Sequence, residues 1–234
     1  MSESCGSDQA RGVIKDISNL NIDDLVRISS FSPECVQSMH DHIHLEYKTW
    51  YAFKKLAADC SRSNIALHGF AMFFARAAIE CLADAVYLEK YLVQRGGVVQ
   101  PTDIPAPKAR YTICWSDNPV EPLGPLRECL KMEREILEDT NRLCQVADKA
   151  HDYALQETIA RRFLEKETKH VKNMGDMLQE VARVAKVPGH GLYHLDKELR
   201  VKLGKTPWSK SNKPHSVDHL LEHMASEMAS ASSI

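Results

Sequence analysis

Apolar positions recur at three- and four-residue spacing through most of the chain, and four long stretches carry the pattern far enough to be packed helices. The first starts at Ser32, a hydroxyl N-cap followed by Pro33 and Glu34, and runs to about Asp59. Its inward stripe is Cys35, Met39, Ile43, Glu46, Trp50, Phe53 and Ala57. The second, over 64–92, places Phe70, Phe73, Ala77, Cys81, Asp84, Leu88 and Tyr91 on one face. Gly124 and Pro125 open the third, with Leu126, Cys129, Glu133, Ile136, Thr140 and Cys144 inward. The fourth follows a turn near 150–153 and presents Ile159, Phe163, Glu167, His170, Met174, Met177 and Val181. Every stripe is interrupted by a carboxylate at a comparable height.

The connections decide the topology. Stretch 94–125 holds most of the prolines, and its length is explained by a crossover that runs along a bundle so that the next helix starts at the far end. Short, long and short connections therefore predict an all-α antiparallel four-helix bundle with one long crossover. GLYHLDKELRVKL, over 191–203, predicts a short fifth helix behind the Pro188–Gly189 break. Residues 1–31 read as a flexible or loosely docked polar arm, 32–203 as the bundle domain and 204–234 as a C-terminal extension. Within that extension an amphipathic helix is expected from Ser216 to Ser230, with Val217, Leu220, Leu221, Met224 and Met228 on one side.

Composition narrows the function classes. A chain of 234 residues with 44% hydrophobic and 26% charged residues can bury one good core, and a net charge of −2 gives no whole-chain footprint for DNA. No apolar run is of membrane length and the N-terminus lacks a signal-peptide core, so a cytoplasmic protein with no membrane partner is expected. Seven cysteines without a CxxC pair predict free thiols rather than a zinc site or a disulfide framework. His40, His42 and His44 do not share a helix face and are expected to be exposed or at an interface. KTPWSKSNKPH could grip RNA through its cations and one Trp, but so few cations suit a solvated linker better.

The chemistry lies in the interrupted stripes. A buried carboxylate must be neutralised, hydrogen-bonded or metal-bound, so Glu46, Asp84, Glu133 and the i, i+3 pair Glu167 and His170 form either a metal site or the polar network left by a lost one. Cys81 beside them is expected to be a small core residue. Asp84 is expected to form a salt bridge or to share a proton with Glu46.

HLEYKTWYAF, FAMFF, YLEKYLVQRGG, ECLKMERE, FLEKETKHVKNMGDML and GLYHLDKEL together resemble the ferritin family over about 33–203. HIHLE, IPAPK and the SPEC helix start, with the many cysteines and the long C-terminal extension, look closest to its artemin branch. The resemblance implies a homo-oligomeric 24-subunit shell and iron as the metal. It puts Glu46 and Glu133 at ferroxidase ligand positions, Cys81 at the bridging Glu, Asp84 at the His ligand, Glu167 at a Gln or Glu position and His170 at a ligand position of bacterial members. Phe53 stands where the family often has Tyr. Of the inner-surface nucleation acids only Glu80 survives, with Ala83 and Val86 at the others, and the channel position keeps Glu157 beside Ala160, Arg161 and Arg162. Ferroxidase activity is therefore expected to be lost or weak, with no firmly held cofactor. The implied role is a protective, chaperone-like cage that binds client proteins or RNA under stress or dormancy. The alternative is an iron-storage ferritin that still oxidises Fe(II) through an altered di-iron site.

Overall fold

A computed structural model of the protein describes residues 20–114, 122–185 and 189–206. Among them are seven α-helices: α1 (Ile22–Val26), α2 (Pro33–Cys60), α3 (His68–Gln94), α4 (Leu123–Lys149), α5 (Tyr153–Ile159), α6 (Glu165–Val184) and α7 (His190–Val201). A π-helical turn, Ala160–Leu164, joins α5 to α6, so the fourth long helix is continuous but carries one wide turn. α2 starts as expected, with Ser32 Oγ accepting from Cys35 N at 3.3 Å. α3 starts at His68, later than the apolar pattern implied, and α4 starts one residue earlier, at Leu123.

Side-chain pairs fix the directions of the four long helices. Phe53 stacks on Phe74 and Tyr47 donates to Glu89, so α2 and α3 are antiparallel. Lys48 meets Glu135 and His42 meets Asp139, so α4 is also antiparallel to α2 and runs the same way as α3. The connection from α3 to α4 must therefore travel the length of the bundle. It does so along α2: Thr102 bonds His44 at 2.7 Å, the Tyr111 carbonyl accepts from Lys55 Nζ at 3.0 Å, and Ile113 N donates to Asp59 at 3.3 Å. A short 3₁₀ turn, Ala109–Tyr111, buries the Tyr111 ring.

Two apolar clusters fill the bundle. One gathers around Phe53, Leu56, Phe70, Phe74, Leu126 and Met177, the other around Phe31, Met39, Leu88, Leu143, Leu155 and Phe163. Of the predicted stripes, Trp50, Ala77, Tyr91 and Cys144 are half-buried and the other residues named on α2, α3 and α4 are buried. α7 packs on the start of α3, where Asp196 Oδ1 accepts from Phe70 N at 3.0 Å. The approach is so close that a Cβ on Gly69 would overlap the Asp196 carbonyl.

At the other end of α3, Gly96 has φ +74° and lies against the backbone of α1, while Arg27 donates to its carbonyl at 2.6 and 3.2 Å. Only glycine tolerates both demands. The expected helix at 216–230 lies outside the described residues.

Candidate metal centre

The inward acids meet in a waist between the two apolar clusters. Glu46 comes from α2, Cys81 and Asp84 from α3, Glu133 from α4, and Lys166, Glu167 and His170 from α6. Their ligand atoms form two groups, each drawn together within 4.8 Å: Glu46, Asp84 and Glu167 in one, Glu133, Glu167 and His170 in the other. Glu167 belongs to both. His170 Nδ1 lies 3.3 Å from Glu167 Oε2 and 3.9 Å from Glu133 Oε2, and its Nε2 lies 3.4 Å from Glu80 Oε2. Glu80 is held in turn by Arg76 at 3.2 Å.

One cation already sits in the first group. Lys166 Nζ makes an ion pair with Asp84 and lies 2.9 Å from Glu167 Oε1, with the Phe163 ring centroid 5.2 Å away. Lys166 is adjacent to Glu167 in sequence and would leave a helix about 100° round from it. Its long stem nevertheless carries the ammonium inward behind the π turn, into the space bounded by α3.

The electrostatics are uneven across the waist. Burial, reinforced by repulsion from Glu167 and Glu133 against attraction to Lys166, pushes the Glu46 carboxyl up to about 8. Burial does the same for Glu133, to about 8, opposed by His170. Burial would raise Glu167 too, but Lys166 and His170 flank it and hold it well below the usual carboxylate range. His170 would be lowered by burial, yet the Glu167 charge and hydrogen bond lift it to about 9. Lys166 is likewise raised, burial being outweighed by Glu167 and Glu46. Desolvation followed by the surrounding acids puts the Cys81 thiol well above its ordinary value. It stays a neutral S–H, and only a thiolate would be a strong ligand.

All five predicted polar residues and Cys81 therefore meet in one place, and Cys81 is buried as expected. Asp84 pairs with Lys166 rather than with Glu46, which corrects one of the two expectations for it. His42 is neither exposed nor at a free surface: it is 1% exposed, bonded through Nδ1 to Asp139 at 2.6 Å, with Nε2 3.6 Å from Glu46 Oε1. Position alone made it a surface residue; the inward turn at Ile43 and Glu46 carries it into the seam with α4. Lys166 was missed altogether, because a lysine off the apolar stripe reads as solvent-facing. Glu157 and Arg161 are exposed, and Arg162 stacks on the Tyr87 ring at 3.8 Å.

The donor set suits a hard or borderline divalent ion. Carboxylates and an imidazole are present in both number and convergence, and buried Glu46 Oε1 has no hydrogen-bond partner among the described residues.

An antiparallel bundle with one long crossover and acids from all four helices converging at its waist defines a carboxylate-bundle protein of the metal-binding kind. Residues 36–184 match the model of the ferritin-like domain, and the chain belongs to the ferritin family. It is 31% identical over 174 residues to the ferritin heavy chain of Echinococcus granulosus, covering 74% of this chain and 95% of that one. It is 30% identical over 171 residues to the chloroplastic Ferritin-3 of Arabidopsis thaliana, covering 72% of this chain but 63% of that protein, so it spans somewhat under two thirds of that relative's length. Among solved structures, the ferritin of the multicellular green alga Ulva pertusa superposes with a TM-score of 0.70 at 27% identity, over 82% of this chain and 96% of that one. Among the described residues no helix is long and apolar enough to cross a membrane.

Proposed function

We propose that the chain is a shell-forming ferritin subunit that binds iron at its waist and handles it as cargo, with oxidation weak or lost. The observation that carries this is the convergence of Glu133 from α4 with Glu167 and His170 from α6, their ligand atoms all within 4.8 Å of one another. Buried acids crowded this closely are costly, and a divalent ion removes that cost. Glu133, Glu167 and His170 would hold the ion; Glu167, whose carboxyl is held well below the usual carboxylate range, would be its anchor.

Paired oxidation is disfavoured by the same residues. Reducing O2 across two irons needs hard, bridging carboxylates. α3 offers at that place a neutral thiol, Cys81, and an aspartate already neutralised by Lys166. The reading has bundle domain 32–203 assemble as a homo-oligomeric 24-subunit shell in the cytosol, where the six described free cysteines would stay reduced.

Iron content settles the reading. Shells isolated from cells grown in iron-rich medium are expected to carry iron, and Fe(II) added in air is expected to oxidise without a fast phase. Iron-free shells that also fail to bind Fe(II) anaerobically would overturn it. They would favour a second reading, an artemin-like protective cage for proteins or RNA, which the Lys166–Asp84 pair supports because it lets part of the waist stay buried without metal.

A further inference from the structure

We infer that Lys166 is a built-in cation that permanently fills one half of the waist, so that the centre takes a single divalent ion, on the Glu133–Glu167–His170 side, instead of two. The inference rests on the iron-binding reading for its second half only. Its first half stands on geometry: the ammonium lies among the same three acids, Glu46, Asp84 and Glu167, whose oxygens converge closely enough to hold a metal.

An ammonium has three donors and no lone pair, so it supplies positive charge to these oxygens while offering nothing to a metal. It is covalently tethered from α6, shielded on one side by Phe163, and only 15% exposed. A divalent ion could enter that half only by expelling the ammonium from its pairing with Asp84 and Glu167. The opposite half differs in kind. His170 carries lone-pair chemistry in its neutral form and faces Glu133, Glu167 and, through its other nitrogen, Glu80. Both halves compete for Glu167, whose two oxygens are divided between them: Oε1 faces Lys166 and Oε2 faces His170. The lysine thereby pins one oxygen of the shared carboxylate and leaves the other aimed at the open half, acting as a positioning residue for that ligand.

The test is anaerobic titration of the full-length assembled protein with Co(II), which does not oxidise under these conditions, read by calorimetry and by the Co(II) absorption bands. Differences between variants cancel any ions bound elsewhere on the shell. Against the unmodified protein, Lys166→Ala is expected to gain about one ion per subunit and His170→Ala to lose about one. In the absence of metal Lys166→Ala should melt at lower temperature, and Co(II) should raise its melting point more than that of the unmodified protein.

A folded Lys166→Ala shell that gains no ion overturns the proposal, as does a His170→Ala shell that keeps its full complement. If Lys166→Ala does not assemble, the His170→Ala result alone still decides which half is open. An unmodified protein that binds nothing at the waist, beside a Lys166→Ala variant that binds one ion there, would overturn the iron reading while upholding the blocked half.

Discussion

Two of the places where the described residues bury charge are built on opposite principles. At the end of α3, Arg95 donates to both oxygens of Asp152 at 3.2 and 2.7 Å and to the Tyr91 hydroxyl at 2.6 Å, and its guanidinium lies 4.7 Å from the Phe31 ring centroid. Asp152, 1% exposed, also caps α5 by accepting from Leu155 N at 3.0 Å. Charges are matched one to one and both carboxylate oxygens are occupied. At the waist, five acids, Glu46, Asp84, Glu133, Glu167 and Glu80, face Lys166, His170 and the Arg76 that pairs with Glu80, with His42 Nε2 at 3.6 Å from Glu46; two of the acids are pushed up to about 8, and one Glu46 oxygen has no hydrogen-bond partner among the described residues. A closed set of buried charges holds elements together; an under-compensated one is poised to accept something from outside.

The largest effect is expected where the set is closed. Asp152→Ala removes the α5 cap and leaves a guanidinium in a site that is mostly out of water, so it should cost about 3–5 kcal/mol in denaturant unfolding. Divalent ions should not restore the loss, because among the described residues the metal-holding groups lie at the waist and not at that end. An unfolding midpoint within experimental scatter of the unmodified protein would show that the latch is ornamental.

At the waist a comparable deletion should do far less to stability and more to binding. Glu133 is largely protonated at neutral pH, being raised to about 8, so Glu133→Gln replaces a neutral carboxyl by a neutral amide of the same shape. Stability of the metal-free protein should rise rather than fall near pH 7, because the unfolded chain no longer gains by ionising this side chain, while Co(II) affinity falls at least about 10-fold. The pH dependence has a definite sign. Glu46, Glu133 and His170 all have folded values above their unfolded ones, so the native state binds their protons more tightly than the unfolded chain does. Their contributions are full below the unfolded values of 4.5 for the acids and 6.5 for the histidine, and are lost as pH rises through about 8 and about 9. Melting temperature of the metal-free protein should therefore fall between about pH 4.5 and pH 9, and Glu133→Gln should flatten part of that fall. A curve that rises over the same range would contradict the assignment.

Much of this organisation is legible in the sequence, for a physical reason. Helical periodicity reports burial, so Glu46, Asp84, Glu133 and Glu167 announce themselves as acids at positions where Phe, Leu or Met would otherwise stand. The length of 94–125 requires the crossover that Thr102, Tyr111 and Ile113 then pin along α2. Lys166 and His42 escape because both lie off the stripes. A lysine stem of four methylenes can enter a core from a flanking position, and periodicity records where a Cα faces rather than where an ammonium ends. His42 is recovered only when α4 is known to lie beside α2, since its partner Asp139 is 97 residues away. The π turn at Ala160–Leu164 leaves no compositional mark at all; ARRFL is an ordinary helical run.

The smallest expected effect sharpens the comparison most, because His42 belongs to neither set and touches the edge of one. It links half-buried Asp139, itself held by Arg142, to the side of Glu46 whose Oε1 lacks a hydrogen bond, and its ring meets Phe163 edge-on at 6.3 Å. His42→Phe keeps an aromatic ring in that seam and removes the 2.6 Å bond to Asp139. The net loss should be about 1 kcal/mol, the usual size for one hydrogen bond whose charged partner can still turn toward water. Burial would raise Asp139, but the His42 hydrogen bond and charge, together with Arg142, hold its carboxyl below the ordinary value. A lowered acid contributes stability above its unfolded value of 3.8 and loses it as pH falls through its folded one. The gap between His42→Phe and the unmodified protein should thus be open near neutral pH and close in acid, opposite in direction to the alkaline loss at the waist. If the gap instead widens in acid, His42 acts through Glu46 and not through Asp139, and the boundary of the under-compensated set must be drawn one residue further out.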